Sequence, residues 1–366
     1  MNERVPPEPV PAGTPTSPKS EPEPPVLVAL EAPAHIERNP LEAARRIVPG
    51  LALAGLVGLA GVLLSLRFGG SVMLFALLLG MAFHTVAERQ ALKPGIDVAA
   101  RLVLRVGVAL LGARITLGDM MALHWSLWLI AGAAVPATIL FGAASARFFG
   151  RSREFGILTG GATAICGASA ALAISAVLPR HPNADRDAIF AVIGVTTLST
   201  IAMVLYPWAF GTFASDPKLI GFLLGATIHD VAQVVGAGYS VSTEAGDAAI
   251  ITKLWRVAML VPVVAMLALL YRRRATASTG PHPALLPWFL IAFVALSALA
   301  SAGWIPRAGT DALGEISRWC LIVAVAALGM KTSLATLATL GWRPLGMVLA
   351  ETIFLALLVA ALVLIV

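Results

Sequence analysis

Residues 160–173 read GGATAICGASAALA, inside an apolar run with the length and hydropathy of a lipid-spanning helix. In hydrocarbon every backbone N–H and C=O needs a partner, and broken helix survives only where protein or a cavity surrounds it. Gly160, Gly161 and Gly167 permit either such a break or a very close helix crossing. If the helix breaks, Thr163 and Ser169 are placed to cap a new half-helix beside Cys166. The amides exposed there carry partial positive charge and form a cradle suited to an oxyanion. The plainer reading is small-residue helix packing, with the hydroxyls bonded back to their own helix.

The rest of the chain makes the membrane setting firm. Of 366 residues, 58% are hydrophobic and 13% charged, and the mean hydropathy is +0.86. Soluble domains sit near 45–50% apolar and about 25% charged. The formal net charge of +6 does not indicate nucleic acid, because the basic residues cluster between apolar spans. Cys166 and Cys320 both fall in apolar segments, so neither a disulfide framework nor a zinc site is expected. The first 40 residues hold eleven of the 24 prolines with six acids, and residues 1–44 read as a disordered Pro/Glu-rich cytoplasmic tail. They lack the short apolar core of a cleaved signal peptide. Residues 45–366 read as one transmembrane transporter domain.

Eleven apolar segments follow: 48–65, 71–87, 99–117, 125–146, 155–178, 188–211, 218–238, 247–270, 285–302, 314–331 and 345–366. The expected fold is an all-α polytopic membrane protein of about eleven helices, some interrupted. Basic residues set the orientation. Arg45, Arg46, Arg89, Lys93, Arg147, Arg151, Arg153, Lys218, Arg272–Arg274 and Arg343 fall on one side of this scheme. Arg67, Arg114, Arg180, Arg186, Arg307 and Arg318 fall on the other. The N-terminus is then cytoplasmic and the C-terminus outside.

An internal repeat accompanies the spans. Residues 101–125, RLVLRVGVALLGARITLGDMMALHW, align without gaps on 318–342, RWCLIVAVAALGMKTSLATLATLGW, with ten of 25 positions identical. Arg101/Arg318, Gly112/Gly329 and Trp125/Trp342 match, Arg114 faces Lys331, and Thr116 faces Ser333. The copies are the third and tenth segments and so run in opposite directions. That pattern belongs to inverted-repeat transporters, which bind substrate near the midplane on interrupted helices.

The seventh segment, GFLLGATIHDVAQVVGAG (221–238), repeats Gly161-Ala162-Thr163 as Gly225-Ala226-Thr227. It sets His229, Asp230 and Gln233 near its centre, where ionisable groups are costly and usually functional. His229 and Gln233, four apart, share a face if the helix continues. The alternative is a hydrogen-bonded structural His–Asp pair. In the eighth segment Lys253 and Arg256 either snorkel to the interface or face inward, where they supply positive charge for an anion. Glu351, Glu88 and His84 are further candidates for proton coupling.

TAICGASA (163–170), IHDVAQVVGAG (228–238), KLWRVAML (253–260) and ALLGARITL (109–117) together resemble the YeiH family, also called putative sulfate exporters. The likeness covers about residues 45–366. Where the family pattern carries Glu after the His, this chain has Asp230, which keeps an acid with a shorter reach. The resemblance implies an inner-membrane secondary transporter exporting sulfate or a related sulfur oxyanion. The family is distantly similar to the bile acid–arsenite–riboflavin transporters, whose crossed, broken helices bind substrate.

The residues expected around a small anionic substrate are Gly161, Thr163, Cys166, Gly167, Ser169, Thr227, His229, Asp230, Gln233, Lys253 and Arg256. No metal or cofactor is expected, the partners are the substrate and the lipid bilayer, and a homo-oligomer stays open. The alternative function is a proton- or cation-coupled carrier of another organic acid. An enzyme is disfavoured, since the sequence carries no nucleotide loop, HExxH or nucleophile–base set. Two points stay open: the fifth and seventh segments share GAT yet run parallel in an eleven-span scheme, and either could be a re-entrant hairpin.

Overall fold

The computed structural model describes residues 40–115, 118, 123–179, 181, 183–212, 214–271, 287–331 and 342–365. The tail through residue 39 lies outside them, as do Thr116, Arg180, Arg272–Arg274 and Ser333. All regular structure among the described residues is helical. Among the described residues, six helices are long and apolar enough to cross a membrane, and five shorter apolar helices accompany them.

Two bundles divide these helices. The first holds α1 (Pro40–Phe68), α2 (Val72–Ala82), α3, α12 (Trp288–Ser301) and α13 (Arg307–Lys331). Helix α3 joins Lys93–Val98 and Leu104–Leu111 through a π-helical turn, Ala99–Val103. It packs against α13 in opposite directions. Lys331 pairs with Asp97 at one end, and Ser317 Oγ donates to Gly107 O (2.6 Å) towards the other.

The second bundle holds α4 (Trp125–Ser145), α5 (Arg153–Ala164), α6 (Ala168–Val177), α7 (Ala184–Gly211) and α8 (Pro217–Thr227). It continues with α9 (Val231–Val241), α10 (Thr243–Ala258), α11 (Leu260–Tyr271) and α14 (Trp342–Ile365). The principal contact between the bundles runs through α9, which lies on α2 and α13.

The fifth and seventh segments are each broken into two half-helices that fold back on one another. Helix α5 stops at Ala164, and α6 returns beside it: a Cβ on Gly161 would lie 2.2 Å from Ile174 Cδ1. Thirteen residues of continuous helix would separate those positions by about 20 Å. At the open end of this hairpin Arg151 is ion-paired with Asp187. Helices α8 and α9 fold the same way. Gly221 of α8 sits on Ala245 O, and Gly238 of α9 sits on Gly246, so both arms reach the same level of α10. Helix α7, with 28 residues or about 42 Å, separates the two open ends. The hairpins therefore enter from opposite ends and meet in the middle.

Two of the eleven apolar segments are therefore hairpins, not single continuous helices. A hydropathy window senses length and apolarity, which two stacked half-helices share with one long helix. Arg186, next to Asp187, moves to the end that carries Arg147, Arg151 and Arg153, and Lys218 moves to the opposite end. The first move sharpens the basic-residue asymmetry and the second offsets it, so the balance between the two ends is unchanged.

Candidate functional site

The two hairpin tips are built by different local chemistry. At the first, Gly167 has φ 66° and ψ −122°, a conformation open to glycine and strained for any L side chain. The chain reverses there, and Gly167 becomes the N-cap of α6 with no side-chain cap bond. The second tip needs no glycine. Ile228 and Asp230 are extended (φ −67°, ψ 142° and φ −105°, ψ 147°), and the Asp230 carboxylate caps α9 by accepting from Ala232 N (3.2 Å). The other glycines serve close approach: a Cβ on Gly160 would lie 2.8 Å from Thr138 O, and one on Gly225 2.3 Å from Ala249 O.

Each hairpin brings a helix C-terminus, with unpaired carbonyls, and a helix N-terminus, with unpaired amides, to the centre. The carbonyl ends are taken up by α10. Arg256 Nε donates to Ala164 O (2.6 Å), Nη2 to Thr163 O (3.0 Å), and Nη1 to Gly225 O (3.0 Å) and Ile228 O (3.2 Å). Lys253 Nζ donates to Ile228 O (2.7 Å). Both side chains are 0% exposed, so they face inward and do not snorkel. Four of the five guanidinium N–H groups are engaged by backbone carbonyls. The two helix ends carry roughly −0.5 charge each. They balance one of the two cations, and Asp230 lies within electrostatic reach of Lys253.

His229 joins the tips. Its Nδ1 is 3.1 Å from Thr163 O, and a carbonyl only accepts, so Nδ1 carries the proton. Its Nε2 is 2.9 Å from Thr352 Oγ1, a hydroxyl that also lies 2.8 Å from Val348 O. With neutral His229 the hydroxyl can donate to Nε2. With the imidazolium it accepts from Nε2 and donates to Val348 O. Either protonation state fits the same heavy-atom positions.

Among the remaining expected residues, Thr163 Oγ1 donates to Glu351 Oε2 (3.4 Å) instead of capping α6. Thr227 Oγ1 donates back to Leu223 O (2.6 Å). Ser169 does not cap either; it is exposed at the start of α6, where Ala168 is half-buried. Cys166 lies at the first tip, with the Ala170 amide on its sulfur. Gln233 does not share a helix face with His229, because the helix begins after Asp230. Its Nε2 reaches Thr200 Oγ1 (3.4 Å), and its buried Oε1 has no partner. Gly167 stands against the second tip, its would-be Cβ 3.7 Å from Asp230 Cβ.

Several participants escaped the expected set. Glu351, 0% exposed on α14, accepts from Thr159 Oγ1 (2.8 Å) as well as Thr163, and it is a lone acid in an apolar final span. Ser199 Oγ accepts from Asp230 N (3.1 Å), and with Thr200 it belongs to a hydroxyl-rich stretch of α7, TTLST (196–200). Arg105, exposed in the middle of α3, is within electrostatic reach of Asp230 from the other bundle. Of the looser candidates, His84 Nδ1 lies 2.8 Å from Met330 O, and its Nε2 lies 3.7 Å from Glu88, within the first bundle and away from the tips.

The bundles also meet at the end where α9 terminates. Ser71 Oγ donates to Tyr239 O (2.8 Å), Tyr239 OH donates to Asp247 (2.7 Å), and Arg114 pairs with Asp247 (3.5 Å). At the other end the principal neighbours of α6 are α5, α7 and α11, all in its own bundle.

A family profile described as Conserved hypothetical protein 698 matches residues 49–348. UPF0324 membrane protein CT0845 of Chlorobaculum tepidum is 49% identical over 316 residues, covering 86% of this chain and 88% of its own. UPF0324 membrane protein TauZ of Paracoccus denitrificans is 50% identical over 316 residues, with 85% and 93% covered. UPF0324 membrane protein RB0971 of Rhizobium meliloti is 46% identical over 315 residues, with 86% and 91% covered. No solved structure matches the chain.

Proposed function

The chain belongs to the UPF0324 family of membrane proteins, which is the YeiH family, and from that premise we propose that it is a secondary active transporter of small anions. The proposed substrate is sulfate or a related sulfur oxyanion, exported across the inner membrane by alternating access between the two bundles. One observation carries the reading. The carbonyl ends of both hairpins are neutralised by buried cations, while the amide end of α6 has no cap from its N-cap residue Gly167 and meets only the Cys166 sulfur at Ala170 N. A helix N-terminus opening on the bundle interface suits an anion. Exposed Ser169 supplies a hydroxyl, and exposed Arg105, within electrostatic reach of Asp230 at the second tip, supplies a positive charge from the other bundle.

In this proposal nine segments cross and two are re-entrant, with the N-terminus cytoplasmic and the C-terminus outside. The inverted repeat is supported by reciprocal packing: Gly112 of the α3 turn seats on Phe293 O of α12, and Gly329 of α13 seats on Leu77 O of α2. The repeat offset that carries Gly112 to Gly329 carries residue 76 to 293, within one residue of that exchange. The Ser71–Tyr239–Asp247–Arg114 contacts then close the outer side, and the substrate site opens inward.

The second reading, a proton-coupled carrier of another organic acid, draws on the buried Glu351 and on His229, which keeps its hydrogen bonds in either protonation state. Uptake of labelled sulfate, sulfite, taurine and a monocarboxylate into proteoliposomes, with and without a pH gradient, tests both. Sulfur-anion flux supports the first reading, and flux confined to the monocarboxylate supports the second. No flux of any anion refutes transport of this class.

A further inference from the structure

Glu351 is 0% exposed within the apolar span of α14, and no cation among the described residues is ion-paired with its carboxyl. An acid at membrane depth without a partner charge is costly and marks a proton path. Helix α4 makes room for it, since a Cβ on Gly142 would lie 2.5 Å from Oε1. Thr159 Oγ1 lies 2.8 Å from Oε1 and 3.0 Å from Phe155 O, and a hydroxyl has one hydrogen to give. With a proton on Oε1 the chain of bonds closes. Oε1 then donates to Thr159, Thr159 to Phe155 O, and Thr163 Oγ1 to Oε2 (3.4 Å). Without that proton, Thr159 turns its hydrogen to Oε1, and the negative charge has two neutral donors in place of water. The same heavy-atom positions serve both forms, as they do at His229, whose partner Thr352 follows Glu351 on α14.

The charged groups on the elements packed against this carboxyl stand mostly at helix ends. Helix α4 carries none within its length. On the α5 side, Arg153 and Glu154 occupy the first turn, and Arg151 lies over Phe155, one turn from Thr159, paired with Asp187 of α7. Asp185 and Arg186 share that end of α7, Lys218 begins α8 at the opposite end, and Arg343 begins α14 eight residues before Glu351. His229 meets both Thr163 O and Thr352 Oγ1, and Arg256 stands on Thr163 O (3.0 Å).

We propose that Glu351 is a proton-binding site and that the anion and this proton are carried together. The proposal rests on the transporter reading above and specifies its coupling, whichever anion is carried. Thr163, on Oε2, is three residues before Cys166 at the tip where the amide end of α6 opens. A carboxylate so placed repels an incoming anion, and the neutral acid does not. Proton and anion therefore favour each other's binding by the same factor. A dianion that leaves with one proton still carries net negative charge outwards, so an inside-negative potential drives its export. A charged His229 favours the ionised carboxyl, which makes it a modulator of the site.

One test follows labelled sulfate, whose own charge is constant over the pH range used, into proteoliposomes of the full chain with the membrane potential clamped at zero. Wild type is expected to accumulate sulfate about tenfold per unit of pH difference when the outside is acidic, the ratio for one proton per anion. Glu351→Gln, neutral and of similar shape, is expected to equilibrate sulfate without accumulating it. His229→Gln is expected to keep the accumulation, with a flatter dependence of its rate on pH. Wild-type accumulation that ignores the gradient or needs an alkaline exterior overturns the proposal. So does a Glu351→Gln variant that still accumulates sulfate.

Infrared difference spectra of the purified full chain in nanodiscs, taken between acidic and alkaline buffer, read the proton without transport. Wild type is expected to show a protonated-carboxyl C=O band that sulfate carries to higher pH, that shifts in Thr159→Val and that is missing in Glu351→Gln. A spectrum with no band sensitive to Thr159→Val overturns the proton site, and this arm decides alone should Glu351→Gln not fold. Absence of sulfate flux in wild type refutes the sulfate-export reading, while the band still reports whether Glu351 holds a proton.

Discussion

Replacing Arg256 and Lys253 in turn by methionine should give very unequal losses of stability, and the hydrogen bonds predict the inequality. Arg256→Met removes donors from four carbonyls. Thr163 O keeps His229 Nδ1, and Ile228 O keeps Lys253 Nζ. Ala164 O and Gly225 O are left bare at the ends of α5 and α8. A buried polar group deprived of its partner costs about 1–3 kcal/mol, so two cost about 2–6 kcal/mol. Lys253→Met bares no carbonyl, because Ile228 O still accepts from Arg256 at 3.2 Å, and Asp230, which loses a nearby cation, keeps its bond from Ala232 N and the reach of Arg105. Its lost bond is offset by release of a buried ammonium from its desolvation penalty, and the expected net change is below about 1 kcal/mol. Reversible unfolding of the purified chain in mixed micelles, in sodium-free buffer, reads both values. Equal losses for the two variants, or a larger one for Lys253→Met, would refute the assignment of the hairpin carbonyls to Arg256.

Gly167→Ala should destabilise by about 1–3 kcal/mol through backbone strain, since the nearest atom to the new methyl, Val195 Cγ1 at 3.6 Å, leaves it room; unfolding midpoints check this, and a neutral effect would mean that the tip does not need its left-handed turn. Ser169→Cys in a background lacking Cys166 and Cys320 should react with a membrane-impermeant maleimide added to the cytoplasmic face of oriented vesicles. Labelling from the outer face alone would reverse the proposed orientation. Arg114→Ala should raise outer-face labelling of that cysteine only slightly, because a half-exposed ion pair contributes about 0.2–1 kcal/mol. His229→Gln should flatten the pH dependence of transport more than it weakens anion binding, as glutamine can replace one hydrogen bond at Thr163 O but cannot titrate; an unchanged pH profile would remove His229 from coupling.

Much of the central site was legible because broken membrane helices need unusual residues. Gly167 marks a left-handed turn, Asp230 marks a cap, and the interruptions fall at 165–167 and 228–230, inside the two GAT-containing segments. The direction of the chain after each break was not legible. A half-helix of ten to twelve residues has the same composition whether the next one continues or returns, and only contacts such as Gly161 with Ile174 distinguish the two. The basic pair was correctly suspected of facing inward, but its partners are backbone atoms, and carbonyls leave no trace in a sequence. Arg105 was passed over because the repeat alignment sets it opposite Ile322. Glu351 was noticed as a lone acid, yet its link to the first hairpin depends on a Thr159 that sits 192 residues away.

The glycine and alanine seams of the second bundle bear on how such a machine can move. Gly142 rests on Gly156, Gly221 on Ala245, Gly225 on Ala249 and Gly238 on Gly246, backbone against backbone. Contacts of this kind have no rotamers to change and no slack to take up; they either hold or separate outright. A hairpin bound this way is less a finger that bends than a tenon glued into its mortise. In the proposed transport cycle the whole block would then slide against its neighbour along α9, and wear in that joint would show as leak rather than as slower turnover.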